Sequence, residues 1–303
     1  MSKILLTGGR GFVGTNVREA LAADHTIICP SREELDLLNF DSIWEFMADH
    51  SPDIIIHAAG QVGGIQANIN NNYSFFYNNL MMGVNLIKAA TNTSVGKFLN
   101  LGSSCIYPKD LDRCLLEDDI LNGRLEPTNE GYALSKISVM KMGEFLHERN
   151  LNFHFKTIIP SNLYGPHDKF DSGRSHMIPS VIMKIKDAVE NGKEVEIWGN
   201  GEARREFLYI SDLVDFIGYA VNNMESIPIR INVGLGRDYT IKEYYDAISK
   251  VIGYTGCYKY NLDKPVGMKK KLLNIELANS LGWEPKISLI EGIEKTYKYI
   301  IGN

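Results

Sequence analysis

Cysteine is scarce in this 303-residue sequence, and the four present show no pattern. Cys29, Cys105, Cys114 and Cys257 form no CxxC pair and keep no regular spacing, which argues against a disulfide framework and against a metal site. A basic excess is missing too. With a net charge of −5, the chain has no positive field to collect nucleic acid or an anionic membrane. An anionic ligand must be held by local cations and backbone amides. No apolar run approaches a membrane span, and the opening MSKILLTGG is too short in its apolar part for a signal-peptide core. The expectation is a cytoplasmic protein with free thiols. Repeats and low-complexity segments are also lacking. The hydrophobic fraction of 44% and charged fraction of 23% are ordinary for a globular chain, long enough for one large domain or two sharing a boundary.

Short β-rich runs alternate with helical patterns through the first half. Strands are predicted over Lys3–Thr7, Thr26–Pro30, Asp53–Ala58, Lys97–Leu101 and His154–Pro160. Helices are predicted near Gly14–Ala22, Asp41–Asp49, Asn79–Thr91 and Gly131–Glu148. Such alternation implies βαβ units and a parallel sheet covered on both faces. Ile54-Ile55-Ile56 is apolar without alternation, as a doubly buried strand should be. After Pro166 a polar segment (His167–Ser175) leads to a helix near Pro179–Asn191 and a strand at Glu194–Trp198. Arg230–Val233 reads as one more sheet strand, Ile241–Ile252 and Ile287–Ile301 as helices. The fold class is therefore α/β, a doubly wound Rossmann sheet with a smaller α/β C-terminal domain. The dinucleotide domain is placed at 1–165, rejoined by about 207–236. The cap is assembled from 166–206 and 237–303.

The first strand runs into glycines at 8, 11 and 14, a GxxGxxG followed at once by a helical pattern. Side chains there would bar a pyrophosphate from the turn and the helix N-terminus. At the end of the second strand, where an NAD enzyme carries an acid for the ribose hydroxyls, stand Ser31 and Arg32, suited to a 2′-phosphate. The cofactor reading is NADP(H).

Tyr132-Ala133-Leu134-Ser135-Lys136 places a phenol and an ammonium on one helix face. A free phenol, with a pKa of about 10, is a poor acid–base group at neutral pH, and a neighbouring ammonium favours the phenolate. Upstream, Ser103 follows the fourth strand and can share a carbonyl oxygen with Tyr132. Glycine loop, strand-end serine and YxxxK in this order resemble the short-chain dehydrogenase/reductase superfamily, and the length resembles its extended branch. His57-Ala58-Ala59-Gly60 and Asp36-Leu37 add to that likeness.

Further segments narrow it: Val62-Gly63-Gly64-Ile65-Gln66-Ala67-Asn68, Gly102-Ser103-Ser104-Cys105-Ile106-Tyr107-Pro108, Glu126-Pro127-Thr128-Asn129-Glu130-Gly131-Tyr132, Asn162-Leu163-Tyr164-Gly165-Pro166-His167-Asp168, Ser175-His176-Met177-Ile178-Pro179 and Arg205-Glu206-Phe207. As a set they are similar to the GDP-L-fucose synthase family, the GDP-4-keto-6-deoxymannose 3,5-epimerase/4-reductases. The resemblance implies Ser103, Tyr132 and Lys136 as the reducing relay, with Cys105 as base and His176 as acid of the epimerisation. It implies NADP contacts from Gly8, Gly11, Phe12, Val13, Gly14, Ser31, Arg32, Asp36, Leu37, Ala58, Ala59, Pro160, Asn162 and Leu163. A GDP-linked keto sugar would meet Ser104, Asn162, Lys184, Trp198, Arg205 and Lys271, where Lys271 ends a run of three lysines. The resemblance further implies a homodimer through the helices near Asn79–Thr91 and Gly131–Glu148.

Two departures stand out. Gly9 replaces a bulkier residue of the phosphate loop, and Gly131 stands where the family often has proline. They leave open a GDP-4-keto-6-deoxy-heptose reductase that performs only the C4 step. A 4,6-dehydratase is disfavoured, because Ser103-Ser104-Cys105 takes the place of its Thr-Asp/Glu-Glu arrangement. A 4-epimerase with tightly held NAD is disfavoured by Arg32. A non-catalytic NADP sensor or scaffold would have no use for a Ser103–Tyr132–Lys136 relay.

Overall fold

The computed structural model describes residues 1–149, 152–170, 176–264 and 267–302. Of the segments read above, Ser175 and the part of the polar stretch before it from 171 lie outside these residues.

The N-terminal half runs β1 (Lys3–Thr7), α1 (Phe12–Leu21), β2 (Thr26–Ile28), α2 (Phe40–His50), β3 (Ile54–His57), α3 (Ile65–Asn70), α4 (Asn72–Thr91), β4 (Lys97–Leu101), α5 (Glu130–Arg149) and β5 (His154–Pro160). There follow β6 (Asn162–Tyr164), α6 (Met177–Asn191), β7 (Val195–Trp198), β8 (Arg204–Arg205), β9 (Phe207–Tyr209), α7 (Ile210–Asn222), β10 (Arg230–Val233), β11 (Tyr239–Thr240), α8 (Ile241–Ile252), β12 (Tyr258–Asn261), β13 (Lys270–Lys271), α9 (Glu276–Ser280) and α10 (Leu289–Gly302).

Six strands form one parallel sheet in the order β10-β5-β4-β3-β1-β2. One face (Ile4, Leu6, Ile54, Ile56, Leu99, Ile158) packs on α1 and α7 through Val17, Leu213 and Ile217. The other (Leu5, Ile55, Phe98, Phe155) packs on α2, α4 and α5 through Ile43, Leu86 and Val139. Both faces are dry, which is why the Ile54–Ile56 run shows no alternation. Burying each such side chain contributes about 1.5–3 kcal/mol. A separate cluster, with Ile178, Ile182, Ile197, Tyr244, Ile248 and Ile293 at its centre, joins α6, α8 and α10 around β7.

The order reverses between β1 and β3, the two strands that lead from the middle of the sheet in opposite directions. Ligands of open α/β sheets lie outside the carboxyl ends of the strands at such a switch point. Four of the residues singled out in the sequence fall at these ends: Gly8 after β1, Ala58 after β3, Ser103 after β4, and Asn162 just after β5.

The structure corrects some boundaries. The second strand stops at Ile28 rather than Pro30, whose nitrogen carries no hydrogen for a ladder. The helix placed near Asn79–Thr91 starts at Asn72, and α7 was not anticipated at all.

Candidate active site

The cofactor end is built on close backbone approach. Gly8 has φ of +72°, and a Cβ there would stand 2.6 Å from Ala59 N and 2.8 Å from the Ala58 carbonyl carbon. A Cβ on Gly14 would stand 2.5 Å from Gly9 Cα and run into Gly8 O. Gly11 N–H closes the turn onto Gly8 O at 2.9 Å. Gly11 is also the N-cap of α1 and gives no side-chain cap, which leaves the first-turn amides, those of Phe12 and Val13 among them, to an anion. This cradle fits a dinucleotide pyrophosphate. The departure at Gly9 has a local cause: Cys29 Sγ fills the place its Cβ would take.

At the adenosine end the sequence reading found no acid, and here it needs correction. Glu34 folds back so that its carboxylate accepts from Ser31 N at 2.6 Å, while Glu34 N donates to Ser31 Oγ at 3.3 Å. The Ser31 amide holds the Glu34 carboxyl below the usual carboxylate range. Arg10, which the sequence reading passed over although it sits inside the glycine loop, lies 3.8 Å from Glu34. Arg10 thus faces this carboxylate, and Arg32 stands exposed one residue past Ser31, two cations open to a phosphate. Arg32→Ala is expected to raise the KM for NADPH by about ten- to a hundredfold, the loss of one charge-assisted bond, and that for NADH far less. Equal effects on both would undo the cofactor assignment. Nearby, Asp36 Oδ1 accepts from Leu38 N at 3.0 Å, and the carbonyl of buried Leu37 accepts from Asn85 Nδ2 at 3.2 Å.

The reaction centre lies at the end of β4. Ser103 leaves the strand extended and caps a single 3-10 turn, accepting from Cys105 N at 3.4 Å. That turn buries Ser104 and Cys105 beneath α5. The Ser103 hydroxyl is near enough to act on both the Tyr132 phenol and the Cys105 thiol. Lys136, one turn on, is buried, donates to Leu101 O at 2.9 Å and sits 5.8 Å from the Tyr132 ring centroid. Burial pulls its ammonium down to about 8, against a smaller opposing pull from Cys105. Burial also pushes the Tyr132 phenol up, reinforced by Cys105 and opposed only by Ser103. The anticipated drift toward phenolate is therefore reversed. With the ammonium committed to Leu101 O, desolvation decides, and the phenol keeps its proton. Gly131, where the family often has proline, donates its N–H to Asn72 Oδ1 at 2.7 Å, and a Cβ there would stand 2.5 Å from Asn72 O. A proline could not make this bond.

On the substrate side, β13 pairs with β8 in register, Lys271 opposite Arg205, which puts two cations of distant segments side by side. Glu126, from the turn before α5, acts electrostatically on both. Lys271 also acts on Cys105. Directly after Arg205 stands Glu206, 1% exposed, which accepts from Gly236 N at 2.8 Å and Leu273 N at 2.9 Å. Burial pushes its carboxyl up to about 7. Asn162 donates to Glu206 O at 3.0 Å. Pro160 ends β5, and Leu163 packs against the sheet core. Lys184 and Trp198 form a different set around Glu196: Lys184 Nζ donates to its carbonyl at 2.9 Å, and Trp198 Nε1 to its carboxylate at 3.0 Å. His176 precedes α6 and faces Asp168, whose carboxylate lies 3.1 Å from Nδ1.

A strand-end serine against a helical Tyr–Lys pair, beside a glycine cradle at a sheet switch point, defines an extended short-chain dehydrogenase/reductase. In agreement, residues 4–234 match the NAD dependent epimerase/dehydratase family, and the chain belongs to it. The chain is 54% identical over 301 residues to the GDP-L-colitose synthase of Yersinia pseudotuberculosis, covering 99% of this chain and 98% of that one. It is 44% identical over 301 residues to the GDP-L-fucose synthase of Azorhizobium caulinodans, covering 99% and 96%. Among solved structures, the GDP-mannoheptose C4 reductase of Campylobacter jejuni with NADP bound superposes with a TM-score of 0.90 at 28% identity, covering 99% and 98%.

Proposed function

We propose that the chain reduces the C4 ketone of a GDP-4-keto-6-deoxy sugar with NADPH, after inverting carbons that flank that ketone. The carrying observation is that Ser103, whose hydroxyl accepts from Cys105 N, is near enough to act on both the phenol of Tyr132 and the thiol of Cys105. The ketone oxygen bound at Ser103 then faces a proton donor, while a base stands within reach of the adjacent carbons.

The C4 carbonyl acidifies the flanking C–H bonds, because the electron pair left behind is delocalised onto its oxygen. Cys105 removes the proton, Ser103 and Tyr132 hydrogen-bond the enolate oxygen, and His176 returns a proton on the other face. NADPH, when bound, supplies the hydride to C4. Tyr132 gives its proton to the oxygen, and Lys136 stabilises the phenolate that remains. Gly8, Gly11, Phe12, Val13, Gly14, Ala58, Ala59, Pro160 and Leu163 line the cofactor groove, with Ser31, Arg32, Asp36 and Leu37 at its adenosine end. Arg205 and Lys271 take the diphosphate, Ser104 and Asn162 contact the sugar, and Lys184 and Trp198 meet the nucleotide's outer part. In this reading 166–206 and 237–303 form the cap over a cofactor domain of 1–165 and 207–236. The enzyme works in the cytoplasm as a homodimer through α4 and α5, where Leu134 and Phe145 are 38% and 58% exposed.

A second reading concerns the substrate's C3. Colitose is a 3,6-dideoxyhexose, and the 54% identity to a GDP-L-colitose synthase favours a substrate without the C3 hydroxyl, inverted at C5 alone. A third substrate, the 6-deoxyheptose, is favoured by the fold likeness to a heptose C4 reductase. Incubation of each GDP-4-keto sugar with NADPH in heavy water, read by NMR, separates them. Deuterium at C3 and C5 of a reduced hexose is expected from the main reading, at C5 alone from the 3-deoxy one. Reduction without label would leave a simple reductase, and no reduction of any would sink the proposal.

A further inference from the structure

We propose that Asp168 is the positioning residue of His176, fixing which ring nitrogen delivers the proton, and that a strained turn keyed to two helices holds Asp168 for this task. The proposal rests on the reading of His176 as the epimerisation acid.

Both carboxylate oxygens of Asp168 face His176 Nδ1, at 3.1 and 3.3 Å. The Asp168 side chain is 1% exposed and that of His176 50%, so the carboxylate is sequestered behind a ring that looks outward. Among the described residues, Asp168 also accepts from Lys169 N at 2.7 Å. A carboxylate has no hydrogen to offer, so Nδ1 keeps its own and Nε2 becomes the nitrogen that changes state. In the step it serves, the ring protonated at both nitrogens gives its Nε2 proton to the enolate carbon, whose electron pair forms the new C–H bond. Nε2 then regains a proton from solvent as Cys105 releases to solvent the one it removed.

The backbone leading to Asp168 is unusual. Gly165 has φ of +143°, and His167, a residue with a Cβ, has φ of +66°. Such a conformation persists only where the surroundings over-determine it. Three contacts do so here. Pro166 O accepts from Asn16 Nδ2 at 3.0 Å, His167 Nε2 lies 3.4 Å from Glu19, and His167 Nδ1 lies 3.1 Å from Tyr299 Oη. Asn16 and Glu19 belong to α1, the helix that opens at the phosphate loop, and Tyr299 to α10 at the far end of the chain. The turn that aims Asp168 is thus clamped between the cofactor-side helix and the cap.

The test separates the two half-reactions. In heavy water with GDP-4-keto-6-deoxymannose, Asp168→Asn is expected to lose about 10²- to 10⁴-fold in deuterium incorporation, because an amide that donates to Nδ1 forces the wrong tautomer. Oxidation of GDP-L-fucose by NADP⁺ runs the C4 step without an inversion and is expected to fall by less than about tenfold, a lost orientation rather than a lost reacting group. A proportionate fall in both reactions, the mark of a merely structural role, would overturn the proposal, as would label uptake at the wild-type rate. The ¹⁵N shifts of His176 in the wild-type protein need no variant to fold: a protonated Nδ1 is expected, and a bare Nδ1 overturns the assignment. Wild-type protein that takes up no label at all would instead defeat the epimerase reading, and this proposal with it.

Discussion

Tyr132→Phe is expected to lower reductive turnover by at least about 10³-fold while NADPH binding weakens by no more than one hydrogen bond, about tenfold. The ring stays, so the packing of Tyr132 against the apolar cluster that includes Ile106 and Ile137 is kept, and only the oxygen is lost. That oxygen is the proton source for the alkoxide that forms at C4. Burial holds the phenol protonated before the reaction, which suits a donor. What makes so weak an acid effective is the ammonium one turn away, which stabilises the phenolate left behind. Lys136 is a cation below about pH 8 and loses its charge above it. Turnover of the wild type is therefore expected to be level below about 8 and to fall as pH rises through that value. The same variant separates the two halves of the chemistry. Ser103 still holds the ketone and Cys105 is untouched, so label exchange at the flanking carbons should persist, weakened by about the tenfold that one bond to the enolate oxygen contributes. Full reductive activity in Tyr132→Phe would remove the relay altogether.

Much of this arrangement was legible in the sequence because it is local or periodic. Ile54-Ile55-Ile56 announced a strand buried on both faces, and the glycines at 8, 11 and 14 announced a turn that admits a phosphate. What was not legible depends on contacts between distant segments. Helix α7 begins directly after β9, and its N-cap, Tyr209, carries no capping side chain, so no cap marks where the strand gives way to the helix. The first turns of α4 are rich in asparagine, a weak helix former, and are held by tertiary bonds. Asn79 grips the Gln61 backbone from both its oxygen and its nitrogen, and Asn72 receives Gly131 N. The pairing of Lys271 with Arg205 follows from strand register, which a run of three lysines does not reveal. Glu34 misled for a related reason: it is three residues past Ser31 in sequence, yet its side chain folds back onto the Ser31 amide.

Cys105→Ser is expected to remove deuterium incorporation by about 10³-fold or more, since an alcohol in the same place is a far weaker base than a thiolate. The wild-type pH profile sharpens this. Burial pushes the Cys105 thiol up, against smaller opposite pulls from Lys271, then Ser103, then Lys136. The thiolate is therefore a minor form at neutral pH, and its population grows as pH rises. Exchange at the flanking carbons should climb through the range where reduction declines, because reduction needs a charged Lys136 and exchange needs an ionised Cys105. The two slopes have opposite sign and come from groups that act on each other, since a thiolate at Cys105 favours the ammonium at Lys136. Above about pH 8, each substrate molecule should exchange several times before it is reduced, and product isolated there should carry a fuller label than product made at pH 6. If label and reduction instead fell together with rising pH, one group would be serving both steps, and Cys105 would be a packed thiol beneath α5 with no part in the chemistry.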